Sequence, residues 1–203
     1  FIQIKGNIES LKSSVLKEIE ELFDIEGSRD EFLPQGLAAK MAELTGKINR
    51  EIAVYINRKG NVIDVSVGDS STVSLPEVEG RRDSTHLLGI RCIHTHPNGE
   101  GMISLVDINS LVKLRLDAMV AIGVKGGQVT EIYAALPVRD EKGDLGKSVV
   151  YGPFGQDDRR INHLWNIILE TDKLKSSAVY LNESDDERAI LVGLETSSKV
   201  LVG

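Results

Sequence analysis

The stretch from His94 to Asp107, H-T-H-P-N-G-E-G-M-I-S-L-V-D, constrains this chain more than any other. The two histidines are two residues apart, so on an extended strand both imidazoles leave from the same face. Pro97 has no N–H to give to a sheet ladder and ends the strand. Gly99 and Gly101 supply the bends of a loop. Ser104 and Asp107 are three apart and open the apolar-rich run L-V-D-I-N-S-L-V-K-L-R-L. That is the spacing of a capping box, with Ser at the N-cap and Asp at N3. Strand end, loop and helix start therefore bring polar groups to one point.

The flanking patterns say what surrounds that point. Ile8, Leu11, Val15, Ile19 and Leu22 recur at helical spacing over residues 8–23, with Asn7 as the expected N-cap. A second helix is expected over 36–49, with Leu37, Met41, Leu44 and Ile48 on one face. Two β-rich runs, 51–57 and 61–67, flank R-K-G and predict a hairpin. Residues 68–85 read as a loop, with a short strand at 73–75. A third strand over 86–96 delivers the histidines, and a helix runs from Ser104 to about Arg115. Strands at 118–124 and 128–136 flank Lys125-Gly126-Gly127, and V-V-Y predicts one more short strand after a polar turn at 138–148. A last helix is expected over 157–173, with Ile161, Leu164, Trp165, Ile168 and Leu169 inward. Residues 182–188, N-E-S-D-D-E-R, read as a linker, and A-I-L-V-G-L-E as a terminal strand. Loosely alternating strands and helices with hairpins predict an α/β fold, a mixed β-sheet flanked by helices.

The totals narrow the function classes. At 203 residues the chain is long enough for one sizeable core. A net charge of −7 argues against a surface built to grip nucleic-acid phosphates throughout. The single cysteine, Cys92, rules out an internal disulfide and fits a reducing cytoplasm. No apolar run approaches the roughly 18 residues that span a bilayer. The start, F-I-Q-I-K-G-N, carries no signal-peptide pattern, and its Phe in place of Met suggests a piece of a longer polypeptide.

Chemistry converges on the histidine segment. A catalytic zinc takes three protein ligands and keeps a position for water. His94, His96 and Asp107 supply such a set, though cobalt, manganese or iron would also accept it. Glu51, at the start of the first hairpin strand, is the candidate general base, and the Ser104 hydroxyl the candidate donor to an oxyanion. Each residue has a plainer reading. Ser104 and Asp107 can be no more than a helix cap, and Glu51 a charge at a strand start. Cys92 shares strand parity with the histidines but reads as a small buried residue. His86 and His163 have no ligand partner at a useful spacing. Gly146-Lys147-Ser148 ends like a phosphate-binding loop, yet Glu141 stands where the first glycine belongs and no helix pattern follows. The zinc-deaminase and H-E-x-x-H signatures are absent.

His94-x-His96-Pro97, six residues, Ser104, two residues, Asp107, with Glu51 upstream, resembles the JAMM or MPN+ motif of zinc metallopeptidases. H-T-H-P-N-G is closest to the RadC-like version. The resemblance covers about residues 35–137. It implies a JAB1/MPN-like sheet with a cytidine-deaminase-like layout, and one zinc on His94, His96 and Asp107. It also implies Glu51 as acid–base and Ser104 as stabiliser of the tetrahedral intermediate when an amide bond of a peptide or protein substrate is hydrolysed. A second resemblance runs along the whole chain. N-R-E-I-A-V-Y-I-N-R-K-G-N-V, G-I-R-C-I-H-T-H-P and L-R-L-D-A-M-V-A-I-G-V are similar to the N-terminal extension of long HflX-type GTPases from Firmicutes, and E-R-A-I-L-V-G-L-E to the opening of the HflX N-terminal domain. This implies an N-terminal helical segment over 1–34, a JAMM-like domain over 35–181, and a linker with the start of the next domain over 182–203. The implied partners are the GTPase domain of the same polypeptide and the ribosome, with no membrane and no direct nucleic-acid contact. The alternative to a hydrolase is a regulatory or binding module of that GTP-binding protein.

Overall fold

The computed structural model describes residues 4–68, 87, 89–138 and 147–169. Their organising element is one mixed sheet of seven strands in the order β1-β3-β2-β4-β5-β6-β7. The expected hairpin forms from β2 (Ile52–Asn57) and β3 (Val62–Val67). The Asn57 side chain closes its turn, accepting from the N–H groups of Lys59 and Asn61. Strand β4 (Ile90–His96) adds antiparallel to β2 and parallel to β5 (Ala118–Lys125). The parallel step needs a crossover, which α3 (Leu105–Lys113) supplies. A Lys125-Gly126-Gly127 turn then leads into β6 (Gln128–Val138), and β7 (Lys147–Phe154) closes that edge antiparallel to β6. The expected V-V-Y strand is thus eight residues long.

Strand alternation divides the interior into two layers. On one face Ile52, Val54, Ile56, Ile93, Val120, Ile122 and Ile132 meet Leu37, Met41 and Leu44 of α2 (Leu37–Ile48). Ile19 of α1 (Ser13–Glu20) and Leu22 of the following 3-10 turn join that layer, as do Ile161, Leu164 and Trp165. On the other face Ala53, Tyr55, Cys92 and Met119 pack with Leu111 and Leu114 from α3 and its end. Beyond the C-cap Leu114 stands Arg115, whose φ of 52° puts it in the left-handed region. Its N–H and that of Leu116 bond back to Val112 and Leu111, a Schellman closure that a glycine more often makes.

Three local expectations change. Asn7 is not the cap of α1, because its N–H bonds to the Val67 carbonyl and prolongs a parallel pairing between β1 (Lys5–Gly6) and β3. The helix starts later, with Lys12 in the N-cap position. Strand β1 itself has no signature in the sequence, since two residues carry no period. The last helix opens with a 3-10 turn over Arg159–Asn162 and is helical over 163–169, with His163 exposed. His86, the strand at 73–75, the linker at 182–188 and the terminal strand lie outside the described residues, as does Gly146, while Lys147 and Ser148 of the loop-like motif open β7.

Arg91 explains how the loop before α2 and the last helix are held on β4. Its side chain is 1 % exposed, yet no carboxylate among the described residues bonds to it. The guanidinium donates to the carbonyls of Phe32 (2.7 Å), Glu31 (3.0 Å) and Asn57 (3.1 Å). It also lies 4.7 Å from the centre of the Trp165 ring. Burial pulls its pKa down to about 10, still charged at neutral pH. Replacing Arg91 by Leu takes the donor from the buried Phe32 carbonyl and the half-buried Glu31 carbonyl, while the Asn57 carbonyl keeps the Gly60 N–H, and Lys cannot reach all three. Urea unfolding of Arg91→Leu and Arg91→Lys should each show a loss of roughly 3 kcal/mol or more.

Candidate metal centre

The parity of β4 sets the site. Arg91, Ile93 and Thr95 point to the α2 layer, and Cys92, His94 and His96 to the α3 layer. Ala53 is the partner of His94 across β2. Glu51, two residues earlier, therefore lies on the same face at the end where His96 sits. The β2 start is fixed from the opposite layer. The Ile52 N–H donates to Thr95 Oγ1 (3.0 Å), which also meets Thr45 Oγ1 at 2.6 Å.

The third group arrives on α3. Ser104 caps the helix: its Oγ accepts from the Asp107 N–H (3.1 Å), and its own N–H donates to Asp107 Oδ2 (2.8 Å). The hydroxyl proton goes to the same oxygen at 2.7 Å. Asp107 Oδ1 is left facing His94 Nε2 at 3.2 Å. The two Nε2 atoms stand 2.9 Å apart, and His96 Nε2 lies 3.9 Å from Asp107 Oδ2. Ligand atoms around a tetrahedral zinc are separated by roughly 3.3 Å, given bonds of about 2.0–2.1 Å. The histidine pair and the His94–Asp107 pair are near that spacing, and with one atom from each residue the three ligand atoms lie within 4.8 Å of one another, a set that could hold a metal ion.

The chemistry of the donors fits as well. His96 Nδ1 faces the Glu100 carbonyl at 2.8 Å. A carbonyl only accepts, so Nδ1 carries the proton and Nε2 keeps its lone pair for an ion. The loop presenting that carbonyl is tied to β6, where the Gly101 N–H donates to Glu131 Oε1 (3.0 Å) and Thr130 Oγ1 donates to the Gly99 carbonyl (2.7 Å). It lies so close that a Cβ on Gly101 would stand 2.6 Å from the Glu131 carbonyl oxygen. Thr45, Thr95, Thr130 and Glu131 were not among the residues the sequence singled out. Only Thr95, between the histidines, had a signal.

Electrostatics separate the groups. Burial pulls the His94 imidazole down, but Asp107 and, to a lesser degree, the Cys92 thiol outweigh it and lift the pKa to about 10. Burial raises Asp107, and the His94 and Ser104 hydrogen bonds overcome this to hold it well below the usual carboxylate range. Burial and the nearby His94 hold His96 below its ordinary value. Glu51, 7 % exposed, is pushed up to about 7 chiefly by burial, with Asp107 adding to the rise and His94 opposing it. Without an ion, then, His94 and Asp107 form an ion pair, and Glu51 sits at its protonation midpoint near neutral pH.

The site opens to solvent at the start of α3, where Ser104 is exposed and Met102, Leu105 and Val106 stand out from the surface. A cavity of about 390 Å³ lies elsewhere, between Gly36 before α2 and Arg159, and includes no residue of the triad. No helix among the described residues is long and apolar enough to cross a membrane. Compared with known proteins, the chain matches no family model and has no significant match among curated proteins or solved structures.

Two outcomes follow. Metal uptake must displace the His94 proton, so below its pKa of about 10 the apparent affinity should fall about tenfold per pH unit toward neutrality. Titration calorimetry at pH 7 in buffers of different ionisation enthalpy should register close to one proton released from His94 per ion. Ser104→Ala removes the cap and should lower the unfolding free energy of the metal-free protein by about 1 kcal/mol in urea titrations.

Proposed function

We propose that this chain is a zinc-dependent amide hydrolase domain of the JAMM or MPN+ type, acting on a peptide or isopeptide bond. The observation that carries the reading is the meeting of His94, His96 and Asp107 at the end of β4, with a buried carboxylate, Glu51, on the same face. Two imidazoles and one carboxylate suit zinc and leave room for water and substrate. When bound there, zinc supplies Lewis acidity toward a carbonyl oxygen and toward water. Glu51, with its pKa near 7, takes a proton from the attacking water and returns it to the departing amine. Its burial serves that exchange, because a fully solvated glutamate is too weak a base at neutral pH. The JAB1/MPN-like arrangement of the sheet belongs to the same proposal, as does the place of the domain in an HflX-type, ribosome-associated GTPase. That last assignment rests on the sequence resemblance.

A second reading has one specific observation behind it. The Ser104 hydroxyl proton is spent on Asp107, so as the cap stands it offers no donor to an oxyanion. A domain that binds the metal and regulates the GTPase without hydrolysis would need no such donor.

Elemental analysis of untagged protein should give about one zinc per chain. Glu51→Gln should keep the zinc and lower hydrolysis of peptide and isopeptide libraries, read by mass spectrometry, by about 10²–10⁴-fold. Cleavage by Glu51→Gln at the parental rate would sink the base assignment. A zinc-loaded parent that cleaves nothing, together with a full-length GTPase rate that changes when the domain is removed, would favour the regulatory reading.

A further inference from the structure

His94 and His96 are supported differently. His96 gives its Nδ1 proton to the Glu100 carbonyl. His94 is 2 % exposed, and its Nδ1 is buried with no hydrogen-bond partner among the described residues. A buried polar atom left in that state costs about 1–3 kcal/mol.

A polar side chain shares its strand and its face. Cys92 precedes His94 by two residues on β4, shares its face and is 2 % exposed. Its thiol is close enough to act on the His94 ring. Behind Cys92 stands Tyr55, its direct partner across β2, also buried, and burial together with the neighbouring thiol raises the pKa of its hydroxyl. Tyr55 is flanked on its other side by Asp64 of β3, and Asp64 is held by Lys5 at 2.8 Å. The row Asp64, Tyr55, Cys92 crosses three strands and ends under the most buried ligand. Cys92 is small and buried, and stands on this face between Tyr55 and His94.

We propose that Cys92 is a positioning residue of the metal centre, its sulfur accepting the Nδ1–H of His94 while Tyr55 holds the thiol in place. The inference rests on the reading of His94, His96 and Asp107 as metal ligands. When Nε2 gives its lone pair to an ion, the single proton of a neutral imidazole must sit on Nδ1. That proton then points into the core, where an acceptor is required. Sulfur is a weak, polarizable acceptor, and a ligand histidine backed by it is less firmly oriented than one backed by a carbonyl. The two imidazoles therefore differ in their outer partners, one oxygen and one sulfur.

Zinc and cobalt binding by the full chain tests this, with Cys92→Ala, Cys92→Val, Cys92→Ser and Tyr55→Phe beside the parent. Cys92→Ala and Cys92→Val should each lose about 10–100-fold in zinc affinity, the cost expected for an outer-shell partner. Cys92→Val fills the space, so an equal loss there separates hydrogen bonding from packing. Cys92→Ser should retain most of the affinity, and Tyr55→Phe should lose less than Cys92→Ala. In the zinc-loaded parent, ¹⁵N-labelled histidine should show one Nδ1–H signal assigned to His94 that exchanges slowly. That signal should broaden or vanish in Cys92→Ala and shift in Tyr55→Phe, and the visible spectrum of the cobalt form should change with it. Parental affinity in both Cys92→Ala and Cys92→Val, with unchanged histidine signals, overturns the role of Cys92 and leaves the metal centre standing. A parent that takes up neither zinc nor cobalt overturns the metal centre and this inference with it.

Discussion

Strand β4 is paired along both edges and covered on both faces, so every side chain it carries is either apolar or must find a partner inside the protein. That constraint accounts for much of the rest of the structure. Arg91 reaches carbonyls on three other residues because no water is available to it. Thr95 gives its hydroxyl to the opposite layer and fixes where β2 begins. His94 pairs with an aspartate delivered by a helix on the far side of a loop. Where β4 emerges at His96, the same demand for partners becomes a cluster of ligating atoms within 4.8 Å of one another.

The buried charges are held apart by their surroundings more than by their chemical type. Two carboxylates, Glu51 and Asp107, share one neighbourhood. Asp107 has hydrogen bonds from the helix start and from His94 that favour its charge, and it stays ionised. The Glu51 carboxylate accepts no hydrogen bond among the described residues, so burial dominates and it titrates near neutrality. A capped helix next to an uncapped strand start thus yields one fixed anion and one exchangeable proton from two similar side chains. The cap and the ion pair with His94 are compatible because they use different oxygens of Asp107: Oδ2 for Ser104 and Oδ1 for His94.

Much of this was legible in the sequence because the relevant periods are local. The two-residue spacing of His94 and His96, the stop at Pro97 and the three-residue spacing of Ser104 and Asp107 are each statements about one element. The structure places all four polar side chains accordingly. The hairpin was marked by R-K-G and the β5–β6 turn by K-G-G. What stayed hidden depends on contacts between distant segments. Nothing near Glu131 or Thr130 announces that they hold the loop after β4, and nothing near Arg91 distinguishes it from a surface arginine. β1 is too short for any period, and Asn7 looked like a cap because the competing bond to Val67 comes from sixty residues away. Glu51 was visible only as a charge at a strand start, and its burial follows from the β2–β4 register.

The chain separation of the site residues has a consequence for the order in which the site can be assembled. His94, His96 and Asp107 fall within a single strand–loop–helix unit, and closing so short a loop costs little chain entropy. Glu51 joins only after β2 has paired with β4 across the intervening chain. A nascent polypeptide can therefore bring His94, His96 and Asp107 together before the buried Glu51 carboxylate reaches the same face. The cluster that could hold an ion is thus a local product of the chain, and the carboxylate beside it a product of the sheet.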